Sequence, residues 1–307
     1  KVYYRADAMA FARASKEQGL PAIICATLPE NMDLETRHLL IEKGVAPMQG
    51  IHEALNAIRD SADWNQARSR ILSEKPEYLL PSYPSSEQKV MSESDSKRWL
   101  KNNNFNVPNG KTVSPHKLGE AASEVGYPVA LKMISPRLLH KTEAGAVVLD
   151  LKDEEELKLA VEKMRIDVTA YDADAASELF LVEAMSPNPV AELIINLRQD
   201  PQFGAALVLG SGGVLVELMA DTATLLLPTS PADIIRALKS LRVRRLLEGF
   251  RGRPAVDIPK VAEEIYKLCI AYQNHGKTIT EIEINPLFVY RDTVSAIDAL
   301  IQVPVDT

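Results

Sequence analysis

KMISPRLLHKTEAGA, running from Lys132 to Ala146, is the stretch on which the reading of the whole chain turns. Lys132 ends the apolar run YPVAL, whose β-branched and aliphatic residues predict a strand over Val129–Met133. Eight residues later comes His140, followed at once by Lys141-Thr142 and the small-residue turn Ala144-Gly145-Ala146. One loop thus carries a fixed cation, a titratable imidazole and a run of backbone amides, which suits the handling of a phosphoryl group. A basic surface hairpin with an incidental histidine fits the same fifteen residues, so the loop alone leaves both readings open.

Outward from the loop, size and charge narrow the choice. A chain of 307 residues predicts about two domains, and 46% hydrophobic with 25% charged residues is ordinary for a soluble globular protein. No apolar run approaches the roughly 18 residues of a membrane span, and no signal peptide is legible, so a membrane protein is not expected. The net charge of −7, without a basic block, argues against nucleic-acid binding through phosphate neutralisation. Cys25 and Cys269 show no metal or CxxC spacing; Cys269 falls in a helical stripe with Ile265, Leu268 and Tyr272 and reads as core. A reducing, cytoplasmic setting is expected. The chain begins at Lys1 directly in an Ala-rich helical pattern, so we expect a piece of a longer protein.

Residues 2–18 predict a helix, Ala22–Cys25 a short strand, Thr36–Lys43 a helix, Val45–Met48 a strand and Ile51–Ala62 a helix. Such alternation implies a parallel sheet covered by helices. With only two strands, residues 1–68 read as the closing part of an open α/β domain, whose exposed edge something must cover. A linker is placed over residues 69–87, where SEKPEYLLPSYPSS (73–86) is rich in proline and serine. Residues 88–307 read as a second domain, α+β with antiparallel character, entered by a helix over Ser86–Asn102. In it we expect strands at Val129–Met133, Ala146–Leu151, Leu179–Glu183, Ala191–Leu197, Ala205–Leu209, Ile279–Ile284 and Val294–Ile297. Helices are expected at Asp153–Arg165, with an apolar face of Leu157, Val161 and Met164, at Ile234–Leu246 and at Ile258–Tyr272.

Four further groups carry chemistry. FLVEAM (Phe180–Met185) is a strand ending in Glu183, with Glu192 nine residues on in AELII; such acids can meet ribose hydroxyls, or can be ordinary surface glutamates. Gly210-Ser211-Gly212-Gly213 follows an apolar run, so its amides can approach an anion or it can be a plain hairpin turn. It is not a GxGxxG opening a helix, which rules out a dinucleotide fingerprint. EIEINPLF (Glu281–Phe288) puts Glu281, Glu283 and Asn285 on one face by period-two alternation, and Asp298 lies in the adjacent AIDAL. Oxygen ligands on neighbouring strands suit magnesium shared with phosphates, although one-face acids are commonly just solvated. Arg242-Val243-Arg244-Arg245 and Arg251-Gly252-Arg253 form a basic patch that suits phosphate, a partner domain or a solvated helix end.

These pieces, in this order, resemble the ATP-grasp half of the ADP-forming (NDP-forming) acyl-CoA synthetases, relatives of succinyl-CoA synthetase. The resemblance runs from YPVALKMISPRLLHKTEAGAV through FLVEAM, AELII, RQDPQFGAALVLGSGGVLVEL and LLEGFRGRPAVD to EIEINPLF, over about residues 88–301. Residues 1–68, with ETRHLLIEKGVAPMQGIHEALNAI, resemble the end of the flavodoxin-like CoA-ligase domain that precedes the ATP-grasp part in single-chain members. The implied fold is the end of a flavodoxin-like parallel-sheet domain followed by an ATP-grasp domain of two subdomains.

The resemblance implies a ligase that joins a carboxylic acid to coenzyme A with ATP, reversibly, through acyl-phosphate and phosphohistidine intermediates. It implies that Lys132 binds nucleotide phosphate, that His140 relays the phosphoryl group, and that Glu283 helps hold the phosphohistidine. It places Glu183 at the adenine hinge and Glu192 near the ribose, makes Gly145, Gly212 and Gly213 cofactor-binding, and makes Asn285 and Asp298 ligands of Mg2+. Ala146 stands where the family usually has a second glycine, which implies a stiffer loop there, and Asn196 replaces a usual small residue. The implied partners are the N-terminal CoA-binding and ligase domains, in the same longer chain or a partner subunit, together with a small carboxylic acid and further copies in a homo-oligomer. Two other readings are a regulatory nucleotide- or effector-binding module, as in acyl-CoA synthetase-like protein acetyltransferases, and an ATP-grasp ligase joining a carboxylate to an amine.

Overall fold

The computed structural model describes residues 2–75, 87–138, 141–212, 221–252, 254–275 and 278–305. His140, Gly213 and Arg253 of the sequence analysis lie outside the described residues, as does most of the expected linker, 76–86. The chain divides into two units, Lys1–Pro76 and Glu77–Thr307.

In the first unit, helix α1 (Val2–Glu17) leads to β1 (Ala22–Ala26), then α2 (Leu34–Glu42), β2 (Val45–Gln49) and α3 (Ile51–Glu74). Asp33 caps α2 by accepting from the Thr36 amide at 2.8 Å, the arrangement that satisfies a free N–H at a helix start. β1 and β2 pair in parallel, Ala22 opposite Val45 and Ala26 opposite Gln49, as the alternation predicts. The shared core is small, built on Ala12, Ala22, Met32, Leu40 and Val45. α3 corrects the expected stop at Ala62 and carries helix past residue 69, where the linker was placed. No proline or glycine interrupts DWNQARSRILSE. The helix ends only where Lys75 turns left-handed (φ 46°), directly before Pro76, which disfavours helical backbone at the preceding residue.

The second unit opens with β3 (Gln88–Val90) and α4 (Glu93–Asn102) in place of one helix from Ser86. Ser92 accepts from the Asp95 amide at 3.1 Å and so fixes the helix start. That leaves residues 88–90 free to pair as an edge strand. A four-stranded antiparallel sheet follows, built from β4 (Gly110–Val113), β5 (Val129–Met133), β6 (Val147–Leu151) and β7 (Phe180–Ala184) in the order β4-β7-β5-β6. α5 (Leu118–Val125) and α6 (Glu154–Tyr171) complete its core. Leu157, Val161 and Met164 are buried as the periodicity predicts, with Ala160 beside them, and Val168 joins because the helix runs on to Tyr171. Each fully buried Leu or Met contributes about 1.5–3 kcal/mol.

The larger antiparallel sheet takes β8 (Ala191–Asp200), β9 (Gly204–Ser211), β10 (Thr222–Leu226), β11 (Glu281–Val289), β12 (Val294–Ala296) and β13 (Ala299–Pro304). Its order is β10-β9-β8-β11-β13-β3, with β12 on β11. Against it pack α4, α7 (Pro231–Ser240) and α9 (Ile258–His275). The expected helix Ile234–Leu246 is broken at Leu241 and restarts as α8 (Arg244–Leu247). The Asp221 carboxylate accepts the Arg242 amide at 2.8 Å and the Val243 amide at 3.3 Å, so these donors are lost to a continuous helix. Cys269 is fully buried, as its helical stripe predicts. Among the described residues, no helix is long and apolar enough to cross a membrane.

Burial along β8 and β11 alternates. Leu193, Ile195, Leu197, Ile282 and Ile284 face the helices, which leaves Glu192, Asn196, Glu281 and Glu283 on the opposite face. Glu283 stands opposite Asn196 on β8 and Leu300 on β13. The small sheet meets the large one at the link between β12 and β13, where Lys132 of β5 donates to the Ile297 carbonyl, and this contact positions the site.

Candidate functional site

Lys132 is the fourth residue of a strand in which every residue is buried, and its ammonium has nowhere to go but into fixed partners. Nζ lies 2.6 Å from Glu93 Oε1 and 3.1 Å from Glu183 Oε2, and donates to the Ile297 carbonyl at 2.9 Å. Lys97, one turn after Glu93 on α4, donates to both Glu183 oxygens at 2.6 and 2.7 Å and lies 2.9 Å from Glu93 Oε1. Lys141, which follows His140 in the chain, reaches Glu93 Oε2 at 2.7 Å and both Asp298 oxygens at 3.1 Å. Three ammonium groups thus face three carboxylates in a connected cluster at the junction of the two sheets.

Burial of charge is unfavourable unless each charge is paired and hydrogen-bonded. Burial alone pushes the Glu93 carboxyl up, but Lys132, Lys97 and Lys141 outweigh it and hold the group far below the carboxylate range. Burial likewise pulls Lys132 and Lys141 down, and the carboxylates outweigh it: Glu93, Glu183 and Asp298 for Lys132, Glu93 and Asp298 for Lys141. Both lysines therefore stay charged. Lys97 is the exception. Its burial and the neighbouring Lys132 together exceed the pull of Glu93 and Glu183, so its ammonium is held below the ordinary lysine range.

The Asn285 backbone N–H donates to the Asp298 backbone carbonyl at 3.2 Å. The Asn285 side chain is exposed and that of Asp298 is about one-third exposed. Glu283 is half-buried on β11; burial, then Glu281, then Asp298 push its carboxyl up. Asn196 explains its own presence. It donates to Glu281 Oε1 at 2.5 Å, and Gln302 donates to the other oxygen at 2.7 Å, so both Glu281 oxygens are engaged by hydrogen bonds.

Three residues expected to bind cofactor make contacts within the protein. Glu183, expected at the adenine edge, is 3% exposed with both oxygens engaged by Lys97 and Lys132, so its carboxylate is turned inward to the ion cluster. Gly145 donates its amide to the Thr142 carbonyl at 3.2 Å, so that donor is spent on the turn. What makes it glycine is a left-handed φ of +68° and a close approach: an added Cβ would lie 2.8 Å from Asp167 Cβ. Gly212 likewise donates to the Glu192 carbonyl at 2.7 Å, and its Cβ would lie 2.8 Å from the Glu192 carbonyl carbon. Its glycine lets β9 approach β8. Glu192 sits half-buried on β8 beside this contact.

Ala146 is fully buried in the small-sheet core, and its amide closes the turn onto the Lys141 carbonyl at 2.7 Å; the alanine methyl is packed there. The basic patch is a helix end: Arg244 faces Glu248 at 3.6 Å and Arg251 stacks over Phe250 at 5.2 Å. Sequence reasoning missed Glu93 and Lys97. Their only local signal is an i,i+4 Glu–Lys spacing, which ordinarily marks an exposed pair.

Comparison with known proteins adds independent findings. A family model described as an ATP-grasp domain matches residues 82–303. The beta subunit of acetate–CoA ligase (ADP-forming) II of Pyrococcus furiosus is 34% identical over 211 residues, 68% of this chain and 88% of that subunit. A solved structure of dinucleotide-forming acetyl-coenzyme A synthetase 1 from Ca. Korarchaeum cryptofilum, in complex with coenzyme A, Ca-AMPCP and HgCl+, aligns with a TM-score of 0.66. It is 31% identical, over 70% of this chain and 93% of that one. Another structure of that synthetase holds coenzyme A and Mg-AMPPCP, with its phosphohistidine segment pointing towards the nucleotide-binding site. It aligns with a TM-score of 0.60 at 30% identity, again over 70% of this chain and 93% of that one.

Proposed function

The chain belongs to the ATP-grasp domain family, and from that premise we propose that it is the nucleotide-binding, phosphoryl-transferring portion of an ADP-forming acid–CoA ligase. The carrying observation is the lysine-rich ion cluster that joins β5, the Lys141 turn and Asp298 at one junction. Phosphoryl transfer is mostly positioning and neutralisation of charge, and this junction concentrates fixed cations beside the Asp298 carboxylate.

Lys132 is the proposed anchor for nucleotide phosphate, with Glu93 and Glu183 holding its stem and charge in register. Glu183 acts through Lys132, and Glu192 on β8 of the larger sheet remains the proposed ribose acid. Asn285 and Asp298 are the proposed magnesium ligands. Their fit rests on the oxygen chemistry of the two side chains and on the backbone hydrogen bond that keeps the two residues adjacent. Among the described residues, no group of three His, Cys, Asp or Glu side chains is set to hold a metal by itself. That suits magnesium, which keeps several waters and phosphate oxygens in its shell. Asn285 and Asp298 would hold the ion, which would supply charge neutralisation to the nucleotide phosphates.

His140 is the proposed carrier. A neutral imidazole is a competent nucleophile near pH 7. In the direction of ligation, the terminal phosphoryl of ATP passes to a ring nitrogen of His140, ADP leaves, and the phosphohistidine delivers the group onward to form the acyl phosphate. Coenzyme A then displaces phosphate to give acyl-CoA. Glu283 is proposed to hold the second ring nitrogen and fix the tautomer.

Residues 1–68 are read as the end of a CoA-ligase domain, supported by the parallel β1–β2 pair with its helices, and 88–307 as the ATP-grasp domain. The CoA-binding and ligase domains, a small carboxylic acid, a homo-oligomeric assembly and a cytoplasmic setting complete the proposal. That the relatives are ligases favours catalysis over the regulatory reading. Calorimetric titration of the full chain with Mg-ADP tests it: saturable one-site binding that Asp298→Asn weakens at least about tenfold is expected. Equal binding by wild type and variant contradicts the assignment of Asp298.

A further inference from the structure

Both oxygens of Asp298 face one cation, the Lys141 ammonium, at 3.1 Å each. The same ammonium lies 2.7 Å from Glu93 Oε2, on a carboxylate that is 2% exposed and fixed at the start of α4. Lys141 is therefore held at two points, one in the interior and one on the proposed metal ligand.

We propose that Lys141 is the built-in counter-ion of Asp298 and makes divalent-cation binding depend on nucleotide. The inference rests on the reading of Asp298 as a magnesium ligand. A magnesium ion takes carboxylate oxygens at about 2.0–2.1 Å. An ammonium that touches the same two oxygens then stands within a few ångströms of a double positive charge, where repulsion is strong in a partly buried site. Lys141 must yield Asp298 to the metal, and Glu93 offers it a place to remain.

Charge balance decides when that exchange is favourable. Lys97, Lys132 and Lys141 are met by Glu93, Glu183 and Asp298, three basic groups against three acidic ones, so the contacts of the cluster leave none of these carboxylates without a lysine. A bare dication adds two charges without compensation. A dication accompanied by nucleotide phosphates brings its own counter-charge and also gives the displaced ammonium an anion to face. Lys141 is thus a positioning residue that raises the threshold for metal alone and leaves metal–nucleotide entry open.

The test measures Mn2+ binding to the full chain by electron paramagnetic resonance, with and without ADP. Wild type is expected to bind Mn2+ weakly alone and tightly with ADP. Lys141→Met and Lys141→Gln are expected to bind Mn2+ alone about tenfold or more tightly than wild type, while Lys141→Arg, which keeps the charge, stays close to wild type. Adding Asp298→Asn to Lys141→Met is expected to remove the gain. If the two neutral variants retain wild-type circular dichroism and bind free Mn2+ no better, while wild type binds Mn2+ with ADP, the counter-ion role is overturned and the nucleotide reading stands. A gain that survives Asp298→Asn also overturns it. Failure of wild type to bind Mn2+ even with ADP overturns the metal reading and this inference together.

Discussion

Glu93→Gln is expected to destabilise the Glu77–Thr307 unit by about 3–5 kcal/mol, the cost of breaking a buried ion pair from one side. Glu93 sits within 3 Å of three ammonium groups, from Lys97, Lys132 and Lys141, and its side chain is 2% exposed. Glutamine keeps the shape and removes the charge, leaving three buried cations to share Glu183 and a partly exposed Asp298. Read only as an i,i+4 pair on a solvated helix, Glu93–Lys97 contributes about 0.3–0.5 kcal/mol. The two accounts differ about tenfold, so a urea unfolding curve decides between them. Tryptophan fluorescence follows this unit through Trp99 once Trp64 of the first unit is replaced by Phe. A loss below about 0.5 kcal/mol, the range of an ordinary surface change, contradicts the buried cluster.

Lys132→Met is expected to slow phosphoryl transfer by about 10²–10³-fold, the range for removing one preorganised donor from a developing charge. In the structure all the contacts of Lys132 Nζ are made, to Glu93, Glu183 and the Ile297 carbonyl. The ammonium is therefore aimed and kept charged by its surroundings, not by a ligand. Lys132→Arg is not expected to rescue, because a planar five-donor fork does not fit a pocket shaped for a point charge. Rates are compared per folded molecule, since either variant also perturbs the cluster. A rate within a few-fold of wild type, in protein whose fold is intact, contradicts the anchoring role of Lys132.

Much of this arrangement is legible along the sequence where the signal is local. The strand of Lys132 is bounded as its apolar run predicts, the α6 stripe is buried, and β1 pairs in parallel with β2. The period-two acids of β11 do share the face away from the helices, and the Asn285 backbone N–H reaches the Asp298 backbone carbonyl. What escapes reading depends on partners far along the chain. Glu93 meets Lys132 across 39 residues, and Lys97 meets Glu183 across 86, so nothing in SESDSK announces that these charges are buried. Glu183 illustrates the converse: a strand-end acid suggests a ligand, and two distant lysines claim it instead.

Gly145 and Gly212 show a second limit. Glycine marks both a site where a backbone approaches a phosphate and a site where it approaches another backbone. Composition does not distinguish them; the structure adds close contacts with Asp167 and Glu192 at these two glycines. The missed strands β3, β4, β10 and β13 are each held by pairing to a neighbour, β13, β7, β9 and β11 respectively.

The central claim, that this chain passes a phosphoryl group from nucleotide through His140, is tested most directly with γ-labelled ATP and magnesium. The full chain is incubated, denatured and assayed for protein-bound label that survives base and is lost in acid, the behaviour of a phosphorylated imidazole. Wild type is expected to take up that label and pass it back to added ADP, and His140→Ala is expected to take up none. Equal acid-labile labelling of His140→Ala would contradict the account.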